Sequence, residues 1–256
     1  MFEFILVPLD GSQLAECVLP HLVSVARCFD SRITLLRILE KNQASASVQL
    51  FDSLNWQINK TKATLYLEKT QARLRESRTS VQTMVLEGLA AEGIIDFAQN
   101  QGMKLIILSS HGRHGLTQLG ISSITQKIIL SVQTSVLIVR AQNYGLLPGG
   151  ALEPVLYRRI LVALDGSQRA EHVLPVITQL AHFHKSQVHL VQVIQAPEMA
   201  RQMPPAREDI DLSERVVARN LEEARRYLEQ VKGRSYLQGL DLQTHLLTSD
   251  NAAAAL

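Results

Sequence analysis

The chain has only two cysteines in 256 residues, Cys17 and Cys28. They fall in what reads as a single helix, roughly 16 Å apart along its axis, which is too far for a disulfide. Thiols this few exclude a disulfide scaffold and point to a reducing, cytoplasmic setting. No CxxC and no HExxH occurs, so no zinc motif is present. A charge excess of one sign is also missing, with 26 Lys and Arg against 24 Asp and Glu. That balance, with no basic run interleaved with aromatics, argues against a nucleic-acid partner or an anionic membrane. Long hydrophobic runs are absent too. Phe4–Leu9 stops at Asp10, far short of a membrane span or a signal-peptide core, and Met1-Phe2-Glu3-Phe4 carries no basic residue. Neither GxxxxGK[ST] nor GxGxxG appears. A Walker-type phosphate loop and a dehydrogenase-type dinucleotide site are therefore disfavoured.

What the chain does have is an internal repeat. ILVPLDGSQLAECVLP at 5–20 returns as ILVALDGSQRAEHVLP at 160–175. Tyr66-Leu67-Glu68 returns at Tyr227-Leu228-Glu229, and Val81-Gln82-Thr83 at Leu242-Gln243-Thr244, with the spacing about six residues longer in the second copy. Pro197, Pro204 and Pro205 place those extra residues in a loop at 196–208. At 46% hydrophobic and 20% charged, the composition is globular and the length suits two domains.

The first copy alternates apolar runs with amphipathic segments. Strands are expected at Phe2–Leu9, Arg32–Glu40, Ser80–Glu87, Met103–Leu108 and Ser135–Arg140. Helices are expected after Ser12, from Asn55 to about Ser77, over Ala90–Gln101 and before Ser131. Pro20 predicts a kink or a late start in the first helix, and residues 41–52 read as a polar loop. This is an α/β pattern: a doubly wound, five-stranded parallel sheet of order 3-2-1-4-5, duplicated in tandem. The domains are read as 1–141, a Gly/Pro-rich linker at 142–156, and 157–256. The second copy gives strands Arg158–Leu164, Gln187–Gln195 and Leu240–Leu247, with helices Ser167–His184 and about Asp209–Lys232. It reads as truncated after its third strand, and its three-stranded half-sheet would leave the first strand as an edge. The end Ala253-Ala254-Ala255-Leu256 reads either as a vector-derived scar or as a native Ala-rich helix start.

The sharpest local signal is Ser109-Ser110-His111-Gly112-Arg113-His114-Gly115, running on to Ser122-Ser123. Strand, polar loop and helix in that order make a phosphate site, because the loop and the helix start present N–H groups and the positive end of the helix dipole. Where strand order reverses, Asp10 comes beside this loop. Asp10 is suited to accept hydrogen bonds from ribose or an amino group. It can equally cap the following helix as part of Asp-Gly-Ser. His111 and His114 stand with no nucleophile or second base at a telling spacing, so no catalytic residue is assigned. His172, His182, His184 and His189 are scattered, and no metal site is assigned.

The repeated ILV[P/A]LDGSxxAExVLP with SSHGRHG in the same domain resembles the universal stress protein family. The resemblance implies an adenine-nucleotide-binding protein of stress adaptation, acting by binding more than by turnover and requiring no cofactor for chemistry. ATP, with Mg²⁺, is the implied ligand. The family's ATP-binding members carry Gly-x-x-Gly, nine residues, then Gly-Ser/Thr. Here Gly112 remains, while Ser109 and Ser122 replace the other two glycines and the spacing is kept. By family position, Pro8, Leu9 and Asp10 line the adenine and ribose end, and Ile38 packs on the base. Leu108, Ser109, His111 and Gly112 surround ribose and phosphates, Arg113 can pair with a phosphate, and Ser122, Ser123, Ile124 and Thr125 offer N–H and hydroxyl groups. The resemblance also implies a homodimer through the fifth-strand edge, Val136–Val139.

Two rival readings share the fold. One is a non-nucleotide interaction module, because a Cβ at Ser109 or Ser122 can fill the space that glycine leaves. The other is an enzyme of the wider adenine-nucleotide α-hydrolase-like group, for which no substrate-activating site is found.

Overall fold

The computed structural model describes residues 1–40, 49–75, 79–112, 121–140, 152–195 and 207–256. Residues 41–48 of the loop expected at 41–52, residues 196–206 of the loop expected at 196–208, most of the linker (142–151), and Arg113 and His114 lie outside them. The chain divides into two compact units, Met1–Val155 and Leu156–Leu256.

In the first unit, Phe4–Pro8 forms β1, an apolar strand buried through its centre. Ser12 caps α1 (Gln13–Glu16) by accepting a hydrogen bond from the Ala15 N–H at 3.1 Å. The chain then breaks and restarts as α2 (Leu19–Phe29), with Pro20 in its first turn, where a missing N–H costs nothing. Cys17 therefore caps the end of α1 and Cys28 lies in α2, rather than both in one helix. Both are buried and neither is in a disulfide, and burial pushes each thiol up to about 11.

Next come β2 (Arg32–Leu39), α3 (Gln49–Arg75), β3 (Ser80–Glu87), α4 (Ala90–Asn100), β4 (Leu105–Ser109), α5 (Ser123–Ser131) and β5 (Ser135–Val139). The helix expected from Asn55 begins six residues earlier, at Gln49. Gln, Leu and Phe at its start tolerate helical backbone, so residues 49–52 of the loop expected at 41–52 are helical. The sheet is parallel, in the order β3-β2-β1-β4-β5. β1 pairs with β2 on one side (Leu6 opposite Thr34) and β4 on the other (Leu6 opposite Ile106), so strand order reverses between β1 and β4. On one face α4 and α5 bury Leu6, Leu36, Ile94, Ile106 and Ile128.

The second unit repeats the start of this plan. Its strands β6 (Arg159–Ala163), β7 (Gln187–Ile194) and β8 (Asp241–Thr248) form a parallel sheet of order β6-β7-β8. The helices are α6 (Gln168–Glu171), α7 (Leu174–His184), α8 (Arg207–Lys232) and the short α9 (Ala252–Ala255). The single helix expected over Ser167–His184 is again two, for the same reason: Pro175 opens α7. The core joins Val162, Leu174, Ile177, Val188, Leu190, Leu228 and Val231 on one face of the sheet. β6 is an edge strand, as expected. Among the described residues, no helix is long and apolar enough to cross a membrane.

Candidate functional site

β1 and β4 end side by side, and their carboxyl ends make the floor of the site. After Pro8, the Leu9 N–H extends the ladder to the Leu36 carbonyl at 2.8 Å. The chain then turns at Gly11, whose φ of +78° is a left-handed conformation that glycine adopts freely. Asp10 Oδ1 accepts from the Ser12 N–H at 2.8 Å and from the Ser12 hydroxyl at 2.6 Å, so the turn fixes the carboxylate. Its other oxygen points at Gly112. A Cβ built on Gly112 would lie 2.4 Å from Asp10 Oδ2, closer than any real contact allows. Asp10 thus both caps locally and faces the loop after β4.

That loop is tied down by its own hydroxyls. The Ser110 N–H donates to the Val139 carbonyl, and the Ser122 N–H to the Ser110 carbonyl, each at 2.8 Å. The Ser109 hydroxyl donates to the His111 carbonyl. His111 is buried, with Nδ1 3.0 Å from the Ser110 hydroxyl, which fixes the ring as a packed side chain. Ser122 caps α5: its Oγ accepts from the Thr125 N–H at 3.1 Å, and its φ of −68° is ordinary extended backbone. Thr125 Oγ1 donates to the Ser109 carbonyl at 3.2 Å. Neither Ser109 nor Ser122 occupies positive φ, so no strain accompanies serine at these positions.

Between the strand ends and α5 lies an inner hollow of about 110 Å³. Pro8, Leu9, Asp10, Ile38, Leu108, Ser109, His111, Gly112, Ser122, Ile124 and Thr125 line it, eleven of the thirteen residues named from sequence. Ser123 stands exposed at the start of α5, outside the lining, and Arg113 lies outside the described residues. Ala15, Leu36, Ala90 and Ile94 complete the wall and were not foreseen. An outer hollow of about 630 Å³ adjoins it and shares Asp10, Ile38, Ala90 and Ile124. Arg37 from β2, Trp56, Asn59, Lys62 and Tyr66 from α3, and Glu40 are among the rest of its lining. Burial, with the Glu16 carboxylate nearby, raises the Tyr66 phenol. A shallower depression of about 990 Å³, lined in part by Glu3, Asp30 and Arg32, sits at the amino ends of the strands, away from the crevice where such sheets bind ligands.

The second unit repeats the turn but not the site. Asp165 Oδ1 accepts from the Ser167 N–H at 2.9 Å, and the Ser167 hydroxyl first, with this N–H second, holds the carboxyl below its usual range. In this sequence no copy of the Ser109–Gly112 loop follows it. His189 Nδ1 and His245 Nε2 meet at 2.8 Å across β7 and β8. Among the described residues, no group of three or more His, Cys, Asp or Glu is placed to hold a metal ion.

Comparison with known proteins points one way. The model of the universal stress protein family matches residues 1–140 and 156–255. Universal stress protein MJ0531 of Methanocaldococcus jannaschii is 24% identical over 144 residues, covering 55% of this chain and 83% of its own length. Universal stress protein Sll1654 of Synechocystis is 30% identical over 140 residues, 54% of this chain and 86% of its own. The solved structure of a universal stress protein from Archaeoglobus fulgidus is similar over 96% of this chain and 77% of its own, with a TM-score of 0.62 and 16% identity, a likeness of fold.

Proposed function

Because the chain belongs to the universal stress protein family, we propose that its first unit binds an adenine nucleotide and acts by binding rather than by turnover. The observation that carries this reading is the contact between Gly112 and Asp10. A strand-end carboxylate is anchored on one oxygen, and the residue facing the other oxygen is the one type with no side chain to fill the gap. Apolar Pro8, Leu9 and Ile38 beside that carboxylate suit a planar base with a ribose attached. ATP is the ligand proposed, and Mg²⁺ would enter on its phosphates. The buried thiols, neither in a disulfide, fit the reducing, cytoplasmic setting proposed for it.

Calorimetry of ATP, ADP, AMP and adenosine, with and without Mg²⁺, tests the reading. Micromolar ATP binding is expected. Asp10→Ala should weaken it about a hundredfold, near the upper worth of one hydrogen bond to a charged group. Absence of heat with all four ligands overturns it.

A second reading rests on the outer position of β5 in the sheet, where Ile138 stands 39% exposed. An unpaired parallel edge with apolar side chains favours pairing with another strand. On this reading two copies of the chain join edge to edge along Val136–Val139. Light scattering should give twice the chain mass, and Ile138→Lys should return it to one; a strict monomer before substitution rules the pairing out.

A further inference from the structure

Gly93 stands inside α4, where glycine is less favourable than alanine. Its backbone does not require it. The Gly93 N–H donates to the Leu89 carbonyl at 2.9 Å in the ordinary helical pattern, and its φ lies outside the left-handed region. The reason for glycine lies on β2. A Cβ built on Gly93 would meet Ile38 Cδ1 at 3.0 Å, Cγ1 at 3.6 Å and Cγ2 at 3.8 Å. All three of its nearest neighbours belong to that one side chain. Ile38 is therefore recessed against bare helix backbone. It lines both the inner and the outer hollow, whereas Gly93 lines neither, so Ile38 stands between the glycine and the site.

Isoleucine is stiff about its first side-chain torsion, so it cannot simply fold away from a methyl on the helix. Leu86 of β3 lies opposite Ile38 in the sheet, and the open direction is the hollow. A side chain at position 93 would push Ile38 toward the space that a ligand needs. The second unit makes the complementary choice. Strand register puts Val193 where the first unit has Ile38, each opposite a leucine, Leu247 and Leu86. α9 packs against β7 and is alanine throughout, so the counterpart of Gly93 carries a methyl. There the helix gains one carbon and the strand residue loses one. The unit with the Asp10–Gly112 crevice is the one that keeps the longer side chain on the strand, facing the hollow.

We propose that Gly93 is a positioning residue for the base compartment. By leaving α4 bare, it lets Ile38 sit back far enough for a planar base to enter the inner hollow. Gly93 touches no ligand and acts through Ile38. This assignment rests on the nucleotide reading of the inner hollow.

Calorimetry of ATP and AMP on the full chain and on three variants tests it, with the thermal midpoint read alongside. Gly93→Ala should weaken ATP and AMP by the same factor, about tenfold, because both carry the base that Ile38 would crowd. Its thermal midpoint should not fall, since alanine favours the helix and Ile38 moves into open space. Ile38→Val removes Cδ1, the atom in closest conflict. Adding Gly93→Ala to Ile38→Val, the pairing found in the second unit, should therefore cost less than about twofold more. Unchanged ATP affinity in Gly93→Ala overturns the inference and leaves the nucleotide reading standing. The full loss persisting on the Ile38→Val background overturns it as well, and so does a loss that comes with a lower thermal midpoint, which would place the effect in the fold. No heat from ATP or AMP with the unaltered chain removes both.

Discussion

Gly112→Ala should lower nucleotide affinity about a hundredfold while leaving the unit folded. The new methyl would sit 2.4 Å from Asp10 Oδ2 and 3.2 Å from its carboxyl carbon, so the carboxylate has to swing away. It cannot swing freely, because Oδ1 is held at 2.8 and 2.6 Å by the Ser12 N–H and hydroxyl. Each hydrogen bond to a charged group is worth about 1.5–3 kcal/mol, and a hundredfold loss of affinity is about 2.8 kcal/mol. Surrendering either the Ser12 pair or the ligand contact covers that figure. Calorimetry on the variant checks the affinity, and circular dichroism checks the fold. A cycle with Asp10→Ala isolates the cause, since adding Gly112→Ala to a chain without the carboxylate should cost little more. A full loss from Gly112→Ala on that background would place the clash on the ligand and not on Asp10.

The inner hollow was legible because its parts are local. Asp10 and Gly112 each follow a strand within three residues, and both strands announce themselves as apolar runs, since a central parallel strand is buried on both faces. Strand order then follows from the right-handed crossover rule, and it brings two segments about 100 residues apart to one crevice. The outer hollow was not legible. Arg37 looks like a stray charge in an apolar strand, while Trp56 and Lys62 look like surface residues of a polar helix. Only the packing of α3 beside the end of β2 gathers them. The hydroxyl network of Ser109, Ser122 and Thr125 was hidden for a different reason. Sequence shows that serine replaced glycine, but the direction in which each hydroxyl turns is set by the backbone that closes around it. The break after α1 sits between these cases. Pro20 announced it, yet reading the cysteines as members of one helix overlooked that announcement.

Leu6→Ala should lower the thermal midpoint of the first unit by roughly 10 °C, whereas Leu161→Ala should move the second unit by only about 2–4 °C. The two leucines hold the same place in the repeated ILV[P/A]LDGS strand, so local propensity and strand pairing are matched. Their surroundings differ. Leu6 is 0% exposed beneath α4 and α5, packed with Leu36, Ile106 and Ile128. Leu161 is 51% exposed, on the face of the second sheet away from its core. Emptying a fully buried leucine site costs about 2–5 kcal/mol, transfer and cavity together. A unit the size of the first loses about 2–4 °C per kcal/mol, and one the size of the second about 4–8 °C. Trimming a half-exposed side chain leaves no cavity and stays near about 0.5 kcal/mol. Scanning calorimetry on both variants reads the difference directly. Equal losses would mean that the open face of the second sheet is covered in solution, and the near-repeat would then carry two comparable cores instead of one deep core and one shallow one.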